Sequence, residues 1–285
     1  MAVPFKVDLK DKVAVITGGG GVLCSVMAKA MAECGARVAI LDLKLDRARN
    51  VAAEIDTAGG VARGYACNVL DKSSIEAAHE QIKAALGPVD ILVNGAGGNH
   101  PKGTTSKEFL AVEDLTRKQD GVTTFYDLTV EGMQFVLNLN FLGTFLPTQV
   151  FSRDMVLRKR GNIINISSMN AFKPLTKIPA YSAAKAGVSN FTQWLAVHFS
   201  KVGVRVNALA PGFFLTDQNR ALLTQPDGSL TARGATILHH TPQGRFGKPE
   251  DLLGALLWLL SDEASGFVSG QVIAVDGGFS AFSGV

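Results

Sequence analysis

Short apolar runs alternate along the chain with longer segments of helical periodicity. The runs are continuous rather than alternating, and KVAVITG and ARVAILD are typical. Continuous apolar strands are expected where helices cover both faces of a parallel sheet. The pattern therefore predicts an α/β fold, a Rossmann-type doubly wound parallel β-sheet with helices on both faces.

The predicted elements follow one another from end to end. The predicted strands lie at 12–18, 36–42, 62–69, 90–97, 161–168, 204–212 and 270–278. The predicted helices lie near 25–34, 45–58, 73–86, 135–157, 181–201 and 250–260. All of them fit one sheet, and no internal repeat or linker divides the sequence. We therefore expect a single domain over residues 1–285.

Two segments, 99–128 and 213–248, interrupt this alternation with polar residues, prolines and glycines. Sheets of this kind build their ligand sites from the segments that follow the carboxyl ends of strands. We therefore expect both segments to be irregular loops that contribute to the site.

Composition argues against several kinds of partner. Lys plus Arg number 28 and Asp plus Glu 25, and the basic residues are scattered, so nucleic acid is not expected. No segment is long and apolar enough for a signal peptide or a membrane span, which predicts a cytoplasmic protein with no membrane partner. The three cysteines, Cys24, Cys34 and Cys67, lack metal-ligand spacing. We expect buried free thiols and no metal.

Four consecutive glycines, 18–21, separate the first predicted strand from the first predicted helix. A backbone without Cβ atoms can approach a pyrophosphate, and a helix N-terminus stabilises its charge. The alternative is a tight turn without a ligand.

Asp42 ends the second predicted strand, where a carboxylate can accept hydrogen bonds from ribose hydroxyls and would repel a 2′-phosphate. The pair predicts a dinucleotide site that favours NAD over NADP, with a helix N-cap as the alternative role for Asp42.

Tyr181 and Lys185 lie four residues apart in YSAAK, and therefore on one face of a helix. A free phenol has a pKa of about 10 and is a poor base at neutral pH. A nearby ammonium favours the ionised phenol and makes it a usable proton donor and acceptor. Ser168 ends its own predicted strand and can hydrogen-bond a reacting oxygen. These three side chains predict acid–base catalysis.

The order of these motifs resembles the short-chain dehydrogenase/reductase family, over nearly the whole chain. The shared features are TG at 17–18, Asp42, NGAG at 94–97, NFLG beginning at Asn140, Ser168, YSAAK, PGFFLT at 211–216 and VDGG near the C-terminus. The resemblance implies four catalytic residues. Tyr181 would be the acid/base, Lys185 would tune it, Ser168 would hold the substrate oxygen, and Asn140 would support a water-linked proton path.

The resemblance also implies a set of cofactor contacts and an assembly. The implied cofactor residues are Thr17, Gly18, Gly20, Gly21, Val22, Leu23, Asp42, Asn68, Val69, Asn94, Gly95, Ala96, Tyr181, Lys185, Pro211, Gly212, Phe214 and Thr216. Thr216 would hold the nicotinamide carboxamide. A homotetramer is implied, with the long helices and the C-terminal segment 276–285 at its interfaces.

Several residues depart from the family pattern. Val22 and Cys24 stand where the last two glycines of TGxxxGxG are expected, so we expect the turn to follow a path displaced toward its early glycines. Gly95 replaces the second Asn of NNAG, and Asn68 replaces the Asp that usually meets the adenine amine. None of these changes removes a group that performs chemistry.

The long segment that begins GNHPKGTT, with SSMNAF and LTKIPAYSAAK, resembles the branch of the family that acts on sugar acids. The implied reaction is hydride transfer between a nicotinamide and a sugar acid, D-fructuronate/D-mannonate interconversion. Candidate substrate contacts are Asn99, His100, Lys102, Asn170, Lys173 and Arg220. For His100, which precedes a proline, loop structure is an equal alternative.

Other interpretations stay open. The remaining histidines are expected to be solvated loop residues, His239 and His240, or packing and surface residues, His79 and His198. The enzyme could instead reduce another polyol, gluconate or 3-oxoacyl substrate, although the polar insert argues against a bulky apolar one. A non-catalytic dinucleotide-binding protein is the alternative from another class.

Overall fold

The computed structural model describes residues 7–117, 120–216 and 219–284. Within these ranges, the strands are β1 (Val13–Thr17), β2 (Arg37–Asp42), β3 (Val61–Ala66), β4 (Ile91–Asn94), β5 (Gly161–Ile166), β6 (Val204–Pro211) and β7 (Val272–Val275). They form one sheet in the order β3-β2-β1-β4-β5-β6-β7, and every neighbouring pair is parallel. The predicted Rossmann-type sheet is confirmed.

Helices lie on both faces of the sheet. In the described ranges they are α1 (Val22–Glu33), α2 (Leu45–Thr57), α3 (Lys72–Ala85), α4 (Glu113–Thr116), α5 (Val130–Leu137), α6 (Gly143–Arg158), α7 (Pro179–His198), α8 (Arg220–Leu223), α9 (Ala232–His239), α10 (Leu253–Leu260) and α11 (Asp262–Ser265). A π-helical turn at Asn138–Leu142 joins α5 to α6.

The structure corrects three details of the predicted elements. The first helix begins at Val22, three residues before the predicted start, because Gly21 already has the extended geometry of an N-cap. The predicted helix 135–157 begins earlier, at Val130, and is interrupted by the π turn. The predicted irregular loops contain helices, α4 in 99–128 and α8 and α9 in 213–248. Residues 118–119 and 217–218 of these loops lie outside the described ranges.

The continuous apolar strands are buried because each face of the sheet packs against its own layer of helices. Ala14 and Ile16 of β1 belong to a cluster with Met27 of α1. Val13 and Val15 of the same strand point to the opposite face, into a cluster with Phe151 of α6. Successive strand residues alternate between faces, so one short apolar run anchors both layers.

The strand order reverses its direction between β1 and β4. These strands are neighbours, and Thr17 at the end of β1 pairs with Asn94 at the end of β4. After β1 the chain continues to β2 on one side of this pair. After β4 it continues to β5 on the other side. Such a reversal opens a crevice outside the carboxyl ends of the strands, where ligands bind in this architecture.

The histidines and cysteines predicted to be structural have these positions. His79 is buried, and its Nε2 lies 2.9 Å from Asp154 Oδ2. The exposed His198 stacks on Trp194 with ring centroids 4.7 Å apart. His239 and His240 are exposed at the end of α9. The three cysteines are free thiols, two of them buried. Among the helices of the described residues, none is long and apolar enough to cross a bilayer.

Candidate active site

A cleft lies at the strand reversal, between the glycine turn, the end of β2 and the loop after β4. It brings together eleven of the predicted cofactor residues, namely Gly18, Gly20, Gly21, Val22, Leu23, Asp42, Asn68, Val69, Gly95, Ala96 and Thr216. Cys24, Leu43 and Arg47 also line it, and the sequence interpretation did not include them. We refer to it as the cofactor cleft.

The glycine turn has a backbone that only small residues allow. Gly18 has φ +63°, and a Cβ there would lie 2.9 Å from the Cα of Ala96. A Cβ on Gly20 would lie 2.8 Å from Asp42 Oδ2. Since α1 begins at Val22, the amides of Val22 and Leu23 belong to its first turn and have no acceptor within the helix. These open donors at a helix N-terminus fit the pyrophosphate of a dinucleotide.

Asp42 is held in place at the end of β2 by two backbone amides. Its Oδ1 accepts from Lys44 N at 2.9 Å, and its Oδ2 accepts from Gly20 N at 3.2 Å. The carboxylate therefore connects the glycine turn to the start of α2 and faces the cofactor cleft. This position fits the hydroxyls of an adenosine ribose.

Thr17 and Asn94 do not line the cleft, although both were predicted to contact the cofactor. Thr17 is fully buried, and its Oγ1 accepts from Gly95 N at 3.0 Å and Ala96 N at 3.1 Å. Asn94 Nδ2 donates to Thr148 Oγ1 at 2.9 Å and to Asn165 Oδ1 at 2.8 Å inside the core. Thr17 therefore holds the loop after β4 in place, and Asn94 ties the end of β4 to α6 and β5.

Pro211, Gly212 and Phe214 also lie outside the cofactor cleft. Pro211 ends β6, and Gly212 N donates to Val275 O at 2.9 Å. Phe214 is buried against Gly247. These residues fix the segment that carries Thr216, whose amide donates to Asn219 Oδ1 at 2.8 Å. No sequence pattern had indicated Asn219.

The four predicted catalytic residues converge beside this cleft from three elements. Ser168 follows β5, Tyr181 and Lys185 lie on α7, and Asn140 lies in the π turn. The Ser168 hydroxyl lies beside the Tyr181 phenol, close enough to lower the pKa of that phenol. Lys185 Nζ donates to Ile166 O at 2.7 Å and lies 5.6 Å from the centroid of the Tyr181 ring. The arrangement places a proton donor next to a fixed hydroxyl.

Asn140 ties the loop after β4 to the catalytic group. Its Nδ2 donates to Gly98 O at 2.7 Å, and its Oδ1 accepts from Gly98 N at 3.2 Å. A Cβ on Gly97 would lie 2.7 Å from Asn140 Oδ1 and 3.3 Å from Lys185 Nζ. π turns often occur at functional sites, and this one places a buried amide between the cofactor cleft and Lys185.

Burial dominates the electrostatics of the catalytic group. It raises the pKa of the Tyr181 phenol, and the neighbouring Ser168 hydroxyl acts in the opposite direction. Burial also lowers the pKa of Lys185 to about 8. In the ligand-free protein burial is the larger effect, so the phenol pKa lies above its ordinary value although Lys185 is nearby. The Lys185 ammonium is directed at Ile166 O.

The candidate substrate residues have unequal positions. Asn170 is buried, and its backbone amide donates to Ser168 Oγ at 3.3 Å. Asn99 Nδ2 donates to Thr104 Oγ1 at 2.9 Å. His100 Nδ1 accepts from Lys102 N at 3.2 Å, and its ring packs on Phe135. These contacts fit the alternative in which His100 supports the structure of the loop. The other three candidates, Lys102, Lys173 and Arg220, are exposed.

Hydride exchange with an alcohol or ketone requires a dinucleotide cradle and a buried group that exchanges a proton with the substrate oxygen. The fold and site provide both, and they define a nicotinamide-dependent dehydrogenase or reductase. Comparison with known proteins agrees with this class. The chain belongs to the short chain dehydrogenase family, whose profile matches residues 12–227.

Individual relatives match over nearly their whole length. An uncharacterized oxidoreductase of Haemophilus influenzae is 55% identical over 280 residues, 98% of this chain and 96% of the relative. The crystal structure of a candidate D-mannonate oxidoreductase from Haemophilus influenzae, with bound NAD, has a TM-score of 0.93, 54% identity and full coverage of both chains. The 5-keto-D-gluconate 5-reductase of Escherichia coli K12 is 32% identical over 273 residues, 95% of this chain and 96% of that enzyme.

Proposed function

We propose that this chain is an NAD-dependent D-mannonate oxidoreductase, which interconverts D-fructuronate and D-mannonate. The observation that carries the proposal is the convergence of Ser168, Tyr181 and Lys185 beside a dinucleotide cleft. The similarity to the Haemophilus influenzae structure supports the choice of substrate, since that protein matches over its full length.

The proposed chemistry divides between the cofactor and three side chains. A bound nicotinamide supplies the hydride to the C5 carbonyl carbon in reduction and takes it up in the reverse direction. Tyr181 donates its phenolic proton to the carbonyl oxygen as the alcohol forms, and solvent returns a proton to the phenolate. Ser168 hydrogen-bonds the same oxygen. Lys185 is protonated below its pKa of about 8 and stabilises the phenolate left after proton transfer.

We also propose NAD rather than NADP as the cofactor. The Asp42 carboxylate is held at the ribose end of the cofactor cleft by the amides of Gly20 and Lys44. A 2′-phosphate there would meet a fixed negative charge at short range. The bound NAD in the Haemophilus influenzae structure supports the same preference.

A second candidate is reduction of a related keto acid such as 5-keto-D-gluconate, which the similarity to the Escherichia coli enzyme favours. Both functions use the same catalytic residues and differ only in the sugar acid. A non-catalytic role is disfavoured because Ser168, Tyr181, Lys185 and Asn140 are assembled together.

A homotetramer and a cytoplasmic location complete the proposal. Trp194 on α7 is 57% exposed and continues an aromatic row through Phe191 to Phe141 and Phe145. Such a row supports contact between subunits along the long helices. Trp194→Glu should lower the mass measured by light scattering after size-exclusion chromatography. Three free cysteines fit a reducing compartment.

The test is the initial rate of NADH oxidation with D-fructuronate, 5-keto-D-gluconate, D-tagaturonate and a 3-oxoacyl thioester, with NADPH in parallel. We expect D-fructuronate with NADH to give the highest kcat/KM. A higher value for 5-keto-D-gluconate would select the second candidate. No turnover of any substrate by a protein that binds NADH would support the non-catalytic alternative.

A further inference from the structure

A second cleft, separate from the cofactor cleft, is rich in cationic side chains. Its walls come from five segments: the loop before α4, residues 173–177, Phe213, α9 with His240, and the C-terminal segment 279–282. The charged residues that line it are Lys173, Lys177, Arg233 and Glu108, and His240 lines it as well. Three cations thus face one carboxylate. We call it the cationic cleft.

The cationic charges of this cleft are not neutralised by the protein itself. Across the described ranges, no ion pair involves Lys173, Lys177 or Arg233, and the ion pairs that do form lie elsewhere. Lys173 Nζ donates to Phe282 O at 2.8 Å, a neutral carbonyl acceptor. A concave site with uncompensated charge of one sign attracts a ligand of the opposite sign.

The cationic cleft is connected to the catalytic group through the backbone. Lys173 lies five residues after Ser168, and Lys177 lies four residues before Tyr181. Four residues span at most about 14 Å between Cα atoms, and a lysine side chain extends over part of that distance. Phe213, which lines the cationic cleft, lies between β6 and Thr216 of the cofactor cleft. The segment between Ser168 and Tyr181 and the segment between β6 and Thr216 therefore border both the reaction centre and the cationic cleft.

Lys177 is fixed in an uncommon conformation. Its φ is +73°, in the left-handed region, and its carbonyl accepts from Thr105 N at 2.8 Å. This hydrogen bond joins the segment before Tyr181 to the polar insert. Its half-buried side chain is thereby presented from a defined backbone, unlike a lysine on a mobile loop.

We infer that the cationic cleft binds the carboxylate of the sugar-acid substrate, an inference that rests on the proposed function. Lys177 and Arg233 are the principal contacts, because Lys173 is already engaged by Phe282 O. An arginine fork matches a carboxylate in two parallel hydrogen bonds. Phe213 and Phe279, with ring centroids 5.3 Å apart, offer an apolar wall to the carbon chain. Arg220, the arginine suggested by sequence, does not line this cleft.

The test measures binding of D-mannonate to the NAD⁺-saturated protein by isothermal titration calorimetry. Arg233→Gln and Lys177→Gln should each raise the Kd of D-mannonate at least about tenfold, because each removes a charge-assisted hydrogen bond. Raising the salt concentration should weaken D-mannonate binding in the wild type more than in either variant. The matched control Lys201→Gln removes an exposed cation outside the cleft and should leave the Kd unchanged.

Two further measurements separate the possible failures. The Kd of NAD⁺ should be the same in all four proteins, and Arg233→Lys should keep part of the D-mannonate affinity. Unchanged D-mannonate affinity in both cleft variants, or no binding by the wild type, would overturn the inference. Cleft-dependent binding without turnover of D-mannonate would refute the proposed function and support the cleft. Turnover of D-mannonate with an unchanged D-mannonate Kd in both cleft variants would support the proposed function and refute the role of the cleft.

Discussion

The sulfur of Cys24 occupies the space into which a side chain at residue 95 would project. A Cβ built on Gly95 overlaps Cys24 Sγ and lies 2.8 Å from Thr17 O. In the family pattern a glycine stands at position 24 and an asparagine at position 95. The two departures therefore belong to one structural change, in which a larger residue below the glycine turn is matched by a smaller one after β4.

This relationship predicts that Gly95 does not tolerate a side chain while Cys24 is present. Gly95→Ala should cost about 1–3 kcal/mol of unfolding free energy and weaken NADH binding, because Sγ or the β4 loop must move. The double variant Cys24→Gly/Gly95→Ala should lose less stability and NADH affinity than the sum of the losses of the two single variants. Urea unfolding and NADH titration of the four proteins in the cycle measure this. Strictly additive effects would show that the two residues are not coupled.

Tyr181→Phe removes the proton that reduction requires and leaves the ring in place. We expect kcat/KM for the sugar acid to fall by about 10²–10⁴-fold, the range that general acid catalysis contributes. NADH affinity should change little, since the phenol does not line the cofactor cleft. Steady-state kinetics and NADH fluorescence titration give the two quantities. Near-normal turnover would remove Tyr181 from the mechanism.

Lys185→Met should stabilise the ligand-free protein at neutral pH. The pKa of Lys185 is lowered from 10.5 to about 8 in the folded protein, so the unfolded chain holds its proton more tightly. The stability penalty is about 3 kcal/mol below pH 8, and it disappears as pH rises from 8 to 10.5. The difference in Tm between variant and wild type should therefore shrink over this range. A difference independent of pH would mean that the pKa of Lys185 is the same in the folded and unfolded states.

Asp42→Ser should change the choice of dinucleotide. Removing the carboxylate takes away both the acceptor for the ribose hydroxyls and the repulsion of a 2′-phosphate. We expect the ratio of kcat/KM for NADPH to that for NADH to rise at least about tenfold. Asp46→Ser is the matched control, because Asp46 is exposed in the first turn of α2 and outside the cleft. An equal change in both variants would assign the effect to general electrostatics.

The strands and the glycine turn could be predicted because their signals are local. A continuous apolar run indicates a strand and a cluster of glycines indicates a turn, and neither needs information from distant residues. The π turn at Asn138–Leu142 could not, since the sequence there continues an ordinary helical pattern. Within the turn, Asn140 contacts Gly98, which lies far away in the sequence and which no local pattern connects to it.

The catalytic group shows the same limit. The spacing of Tyr181 and Lys185 predicts their proximity, since residues four apart share a helix face. Their pKa shifts depend on burial, which the tertiary structure alone determines. The cationic cleft combines residues from five separate segments, and the sequence suggested only Lys173 among its cations.

The hydrogen bonds of Asn94 inside the core also limit how the sheet can assemble. Asn94 pairs with Asn165 across β4 and β5, and Asn165 Nδ2 donates to Thr192 Oγ1 on α7 at 2.9 Å. A slip of one residue between the strands would turn one amide to the opposite face and leave buried donors without acceptors, each costing about 1–3 kcal/mol. Misregistered sheets are thereby rejected during folding, and the strand that ends near Ser168 is aligned with the helix that carries Tyr181 before any ligand is present.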